Sequence, residues 1–209
     1  AVGVIMLLQA ALAVVSLANG WRLWGLPGWL WLLPIVPELA LLIALRVHIE
    51  RHGLDRPDRR REITIALVGV IVVVNVATLV ILIGSLLSSQ EHGGGELLFK
   101  AMTIWSTNVV AFGLLFWQLD AGGPIRRLTA DRRHHDFQFP QQENDELAPV
   151  HWHPRLFDYV YTSFTNSIAF SPTDVMPLTA RAKAFMLTES AISAATVLLA
   201  AARAVNILR

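Results

Sequence analysis

Apolar residues in this chain fall into five long runs, and the segments between them hold almost all of the charge. The first run covers about 1–17 and ends at Asn19-Gly20. The second, about 29–47, contains Pro34, Pro37 and Glu38. Two prolines so close together free backbone carbonyls and predict a kink there. The third, about 63–87, is rich in Val, Ile and Leu, with Asn75 as its only strongly polar interior residue. The fourth, about 97–119, encloses Asn108, and the fifth, about 179–208, encloses Glu189 and Arg203. Roughly 20 apolar residues in a helix cross the hydrocarbon core of a bilayer. The pattern therefore predicts an all-α integral membrane bundle, about five transmembrane helices in a single domain over 1–209.

The connecting segments refine this. Trp21, Trp24, Trp29 and Trp31 cluster after the first run. Indole prefers the headgroup level, so this turn is expected at a membrane surface. Residues 46–62 form a hydrophilic loop with six arginines, 88–96 a short turn with Gly93-Gly94-Gly95, and 120–155 a long polar loop. Between that loop and the last run, 156–176 is amphipathic and aromatic, and too short and polar to cross and still break at Ser171-Pro172. It predicts a helix of about four turns over 156–170 followed by a non-helical bend, either re-entrant or lying at the interface. There is no internal repeat to suggest an inverted-repeat transporter.

Composition agrees. Of 209 residues, 54% are hydrophobic and 16% charged, where soluble domains carry about 25% charged residues. This excludes an ordinary soluble enzyme, a disordered chain and a nucleic-acid-binding module. There are no cysteines, hence no disulfides, thiolate metal sites or thiol nucleophile. The chain begins at Ala1 rather than methionine, which places the natural start upstream. Basic residues split unevenly. Thirteen fall on the side of the 46–62 and 120–155 loops, and four on the other: Arg22, Lys100, Arg203 and Arg209. By the positive-inside rule both long loops are expected to be cytoplasmic, in a multi-pass protein of a cell membrane.

Glu38 and Glu189 are the acids at depth, and each must face protein or water, or be protonated. They mark an ion or proton pathway, or else polar contacts between helices with Asn75, Asn108 or Arg203 as partners. Small residues at spacing four in the last run (Ser190 and Ala194, Ala191 and Ala195, Ala200 and Ala204) permit close helix packing, within this chain or at a pore or subunit contact. Histidines such as His134, His135, His151 and His153 sit only in loops and lack regular ligand spacing, so no metal is expected. No nucleophile elbow, phosphate loop or dinucleotide fingerprint occurs, so neither catalysis nor a cofactor is expected.

Two resemblances add to this reading. The order Asp136-Phe-Gln-Phe-Pro140, Phe157-Asp-Tyr-Val-Tyr161, Ser163-Phe-Thr165, Asp174 and a terminal Ala-x-x-x-Asn-Ile-Leu around Asn206 resembles a bacterial multi-span membrane family known only as a domain of unknown function. The stretch from Ser163 to Lys183, with the alanine-rich helix after it, resembles the pore helix, filter and inner helix of potassium channels. That likeness implies pore-like roles for Thr165, Asn166, Ser171, Thr173 and Asp174. The filter departs from the pattern, because Ser171, Pro172 and Thr173 replace the Gly-Tyr-Gly triplet whose glycines aim carbonyls at the ion. Potassium selectivity is therefore not implied. A pore loop also enters from outside, whereas the charge count brings this segment in from the cytoplasm. On a plainer reading, Ser171-Pro-Thr-Asp174 caps the next helix.

The expected function is a channel-like or transport membrane protein, with cations as the expected cargo and no potassium selectivity. The alternative is a non-transporting subunit or assembly factor of a membrane complex. Expected partners are the lipid bilayer and either copies of itself or a membrane-complex partner. Because the chain is cysteine-free, single cysteines can report its orientation. Gln142→Cys is expected to be shielded from a membrane-impermeant thiol reagent in intact cells, and Gly94→Cys to react. The opposite labelling pattern overturns the orientation.

Overall fold

The computed structural model describes residues 2–21, 27–52, 57–87, 94–127, 135–144, 146, 148, 152–171 and 174–207. Its elements in order are α1 (Val2–Ala18), a 3-10 turn (Gly28–Leu32), α2 (Ile35–His52), α3 (Pro57–Leu87), α4 (Gly94–Leu119) and a 3-10 turn (Asp120–Gly122). Then come α5 (Pro124–Arg127), β1 (Phe137–Gln138), α6 (Pro140–Glu143), α7 (Leu156–Ala169), β2 (Met176–Pro177) and α8 (Ala180–Ile207). The fold is all-α apart from the two-residue antiparallel ladder of β1 and β2.

Three segments are long and apolar enough to cross a membrane: Arg61–Gly84, Gly94–Gly122 and Ala180–Ala202. Helix α1 is apolar but has 17 residues, a rise of about 26 Å against a hydrocarbon core of ~30 Å. Helix α2 carries Glu38, Arg46, Glu50 and Arg51 in its 18 residues.

The prolines of the second run start a helix rather than kink one. Pro34 precedes α2, and Pro37 lies in its first turn. The first four amides of a helix have no internal acceptor, so the missing N–H costs nothing there. The run's first residues form the 3-10 turn instead, and α2 continues to His52.

Helix α4 is the axis of the bundle and packs against α1, α3, α7 and α8. Helix α7 runs antiparallel to it. Tyr159 meets Asp120, the phenol donating at 2.5 Å. Further along, the Ser163 hydroxyl reaches the Val109 carbonyl at 2.7 Å, and the Phe164 ring meets Trp105. The helices come so close at Gly113 that a Cβ there would lie 2.8 Å from both Cα and Cγ2 of Val160.

Polarity is inverted along α7. Tyr159, Thr162, Ser163, Asn166 and Ser167 are buried against the bundle, while Phe157, Tyr161, Phe164 and Ile168 are exposed at helical spacing. A helix lying on a water-facing surface does the reverse; a polar face turned to protein and an apolar face turned outward suit lipid.

The α7 segment enters and leaves at one end of the bundle. Phe170, left-handed at φ 52°, ends the helix. The chain then returns past Tyr161, whose hydroxyl reaches Asp174 at 3.3 Å, to the β1–β2 pairing, where Phe137 faces Pro177 and Gln138 faces Met176. The reading of Ser171-Pro-Thr-Asp174 as the cap of the next helix is corrected here. Helix α8 starts at Ala180, beyond that segment. Its cap is Thr179, whose hydroxyl accepts from the Ala182 amide at 3.2 Å. The pairing of 176–177 with 137–138 keeps those two residues extended just ahead of the cap, and α8 begins only after them.

Gly113→Ala is expected to destabilise the fold by about 1–3 kcal/mol in thermal unfolding, because the new methyl meets Val160 backbone. Gly69→Ala, where nothing lies within 4 Å, serves as the neutral control. Equal melting of the two variants would contradict the α4–α7 contact.

Candidate functional site

Thr107 and Asn108 stand halfway along α4, and a layer of buried polar side chains gathers at their level. On one side the Thr107 hydroxyl lies 2.9 Å from Asn75 Oδ1 of α3, and also within reach of its own helix carbonyls at Thr103 and Ile104. On the other side Asn108 Nδ2 donates to Ser193 Oγ at 3.0 Å and faces the Glu189 carbonyl at 3.4 Å. The Glu189 carboxyl is fully buried between α7 and α8. It accepts from Asn166 Nδ2 at 2.7 Å and contacts the Ser163 hydroxyl. Asn166 also donates to the Met186 carbonyl at 3.0 Å.

Ser163 has one hydroxyl proton but faces two acceptors, the Val109 carbonyl and the Glu189 carboxyl. A carbonyl can only accept. When Ser163 donates to Val109, its contact with Glu189 requires a proton on the carboxyl. When Glu189 is ionised, Ser163 turns to it and releases Val109. Among the described residues Glu189 has no ion-pair partner, and Asn75 Nδ2 and Asn108 Oδ1 have no hydrogen-bond partner. The layer thus offers a titratable group, a hydroxyl that can switch acceptors, and spare amide atoms, with α8 supplying Glu189, Ser193 and Thr196 on one buried stripe.

A second polar cluster lies where α4 ends. Asp120 is fully buried; one carboxylate oxygen accepts from the amides of Asp136 (2.7 Å) and Phe137 (3.2 Å). The other takes the Tyr159 hydroxyl at 2.5 Å, with Arg127 Nε at 3.2 Å and His135 Nδ1 at 3.3 Å beside it. Arg127 also caps the Tyr159 ring at 4.7 Å and donates to the Trp117 carbonyl. Burial, reinforced by the charge of Asp120, holds the Tyr159 phenol far above its ordinary value, so it remains a donor. Asp136 is buried in turn, paired with Arg181 at 2.5 Å and with the Thr179 hydroxyl at 2.6 Å. Two carboxylates thus meet two guanidiniums, and the cluster anchors the start of β1.

A third pair joins α1 to α2, where Gln9 Nε2 donates to Glu38 Oε1 at 2.9 Å.

The pore-like residues expected from the sequence do not converge. Asn166 is buried on Glu189, Thr165 is half-buried and bonds the Thr162 carbonyl of its own helix, and Ser171 and Asp174 are exposed. Thr173 and Pro172, the side chains of Arg203 and Asn206, and Asp131, His134 and His151 lie outside the described residues. The intramembrane set fares differently: Asn108 and Glu189 join one cluster, Asn75 touches it through Thr107, and Glu38 lies apart. Sequence reasoning missed Gln9, Ser163, Ser193 and the whole Asp120 cluster. Gln9 was legible as the one large polar residue in its run, and Ser163 and Asn166 share a face at spacing three opposite an apolar stripe. Nothing in the spacing of Asp120, Asp136 and Tyr159 signals that they meet. The chain matches no family model, no curated protein and no solved structure.

Asp120→Asn leaves Arg127 buried without its counter-charge and is expected to cost about 3–5 kcal/mol. Tyr159→Phe removes one buried donor and is expected to cost about 1–3 kcal/mol. Chemical denaturation of the purified variants gives the order; a Tyr159→Phe loss exceeding that of Asp120→Asn would contradict Asp120 as the hub.

Proposed function

We propose that the chain is a multi-pass cell-membrane protein that moves a small cation, with Glu189 as the group that handles it. The observation that carries this reading is the polar layer halfway along α4, where a buried carboxyl with no ion-pair partner among the described residues meets hydroxyls and amides able to exchange partners. Ionisable groups at membrane depth commonly mark ion and proton paths, and transport sites favour the midplane. On this reading α1 and α2 join the three longer helices as spans, shortened or tilted at their ends. The α7 segment is re-entrant, which its inverted polarity and its return to the same end support. Several copies of the chain, or a membrane partner, complete the assembly.

The ion-handling role passes from Asp174 to Glu189. Asp174 is exposed and touched by the Tyr161 hydroxyl, whereas Glu189 has donors arranged on both oxygens. Potassium preference is not part of the proposal, because Ser171, Pro172 and Thr173 lack the glycines of a carbonyl filter.

In proteoliposomes, Glu189→Gln is expected to lower cation flux roughly tenfold or more, the scale of losing ~1.4 kcal/mol of interaction with the ion. Asp174→Asn is expected to leave the flux close to the wild-type rate. Unchanged flux in Glu189→Gln overturns the assignment. A folded wild-type protein that moves no cation, yet purifies with an unlike membrane partner, overturns transport and favours the subunit reading.

A further inference from the structure

Glu38 presents a different problem from Glu189. Its side chain is 0% exposed and Gln9 is 5% exposed, in the contact between α1 and α2. Gln9 Nε2 donates to Glu38 Oε1, but Glu38 Oε2 and Gln9 Oε1 are both buried and neither has a donor among the described residues. Both atoms are acceptors. Two adjacent buried acceptors with nothing between them form an incomplete arrangement, and an ionised carboxylate here would also lack a counter-charge.

Among the described residues, the elements packed around Glu38 supply no cation. Helix α1 contains no titratable residue, nor does the stretch from Gly28 to Pro37. Helix α3 contains none from Ile63 to Leu87; Asp58, Arg59, Arg60, Arg61 and Glu62 all precede that stretch. On α2 itself the next charged residue is Arg46, about 12 Å further along the axis, with His48, Glu50, Arg51 and His52 beyond it. On α4, which packs on α1, Lys100 is already paired with Glu96 at 2.6 Å.

A cation would satisfy both acceptors, and the oxygen count favours a proton over a metal ion. Hard metal ions take about six or more oxygen ligands. This site offers the two Glu38 oxygens and Gln9 Oε1, and the next hydroxyl on that face of α1, Ser16, is about 10 Å further along the helix. A proton needs one acceptor. Placed on Glu38 Oε2, it is donated to Gln9 Oε1, while Gln9 Nε2 continues to donate to Glu38 Oε1. The result is a closed acid–amide ring in which these atoms are paired and no charge is buried.

We propose that Glu38 and Gln9 form a proton-binding site, a clasp between α1 and α2 that closes when the proton is bound. Loss of the proton opens the ring and leaves a buried anion, so proton occupancy and the α1–α2 contact are coupled. This inference stands apart from the role given to Glu189.

Infrared spectroscopy on the purified protein tests it. The experiment is done in a Glu189→Gln background, so that the other buried acid does not contribute. At neutral pH the carbonyl stretch of a protonated carboxyl is expected; Glu38→Gln removes it, and Gln9→Leu keeps it but moves it to higher frequency as the amide bond is lost. The Gln9→Leu arm is independent of whether Glu38→Gln folds. Absence of the protonated band, or a band that Gln9→Leu leaves in place, overturns the proposal. So does a melting temperature that rises with sodium or potassium in a Glu38-dependent way, which would assign the site to a metal ion instead.

Discussion

A carboxylate buried at the end of a membrane helix persists only where donors and counter-charge surround it; Asp120 accepts from the Asp136 and Phe137 amides and the Tyr159 hydroxyl, pairs with the Arg127 guanidinium and lies beside the His135 ring. Much of the site depends on this cluster. Its bonds to the Asp136 and Phe137 amides fix the start of β1, which pairs with β2 and holds 176–177 extended. Asp136, held there, receives Thr179 and Arg181 and so sets where α8 begins. Through Tyr159 the same carboxylate fixes the depth of α7 along α4. Glu189 on α8 and Ser163 and Asn166 on α7 are brought level with Asn108 by these two consequences together.

The packing follows the rules of an apolar solvent. Between helices in lipid there is little hydrophobic drive, so association comes from close van der Waals contact and hydrogen bonds worth about 1 kcal/mol each. Gly113 supplies the close approach to Val160, and the buried stripe of α8 carries Ala182, Met186, Glu189, Ser193 and Thr196. Large apolar side chains such as Leu7, Val73, Phe157, Leu187 and Leu198 point outward. Burial and polarity are thus partly exchanged relative to a water-soluble bundle.

Two carboxyls lie inside the bundle, each held by uncharged donors. Glu189 sits among a serine and an asparagine and has alternatives for its partners, whereas Glu38 faces one glutamine with which it can form a closed ring. The first environment suits a group that changes state repeatedly. The second suits one that is held in one state and released seldom, because its opening leaves a charge with no neighbour to receive it.

What the sequence determined alone was what composition and period carry: helices, their approximate bounds, a break after 156–170, and the enclosure of Glu38, Asn75, Asn108 and Glu189 within helical runs, where they are buried. These follow from local rules, since an apolar run in a helix has only one way to hydrogen-bond its backbone. The tertiary structure decided which polar residues meet. Asn166, placed with Thr165 and Asp174 by a linear motif, is turned instead toward Glu189, since helical rotation puts 165 and 166 on different faces. Asp120, Asp136 and Tyr159 join across 39 positions of sequence, a distance over which no periodicity carries information. The cap of α8 lies at Thr179 rather than Ser171 because a pairing partner from the polar loop, invisible in local sequence, keeps 176–177 extended.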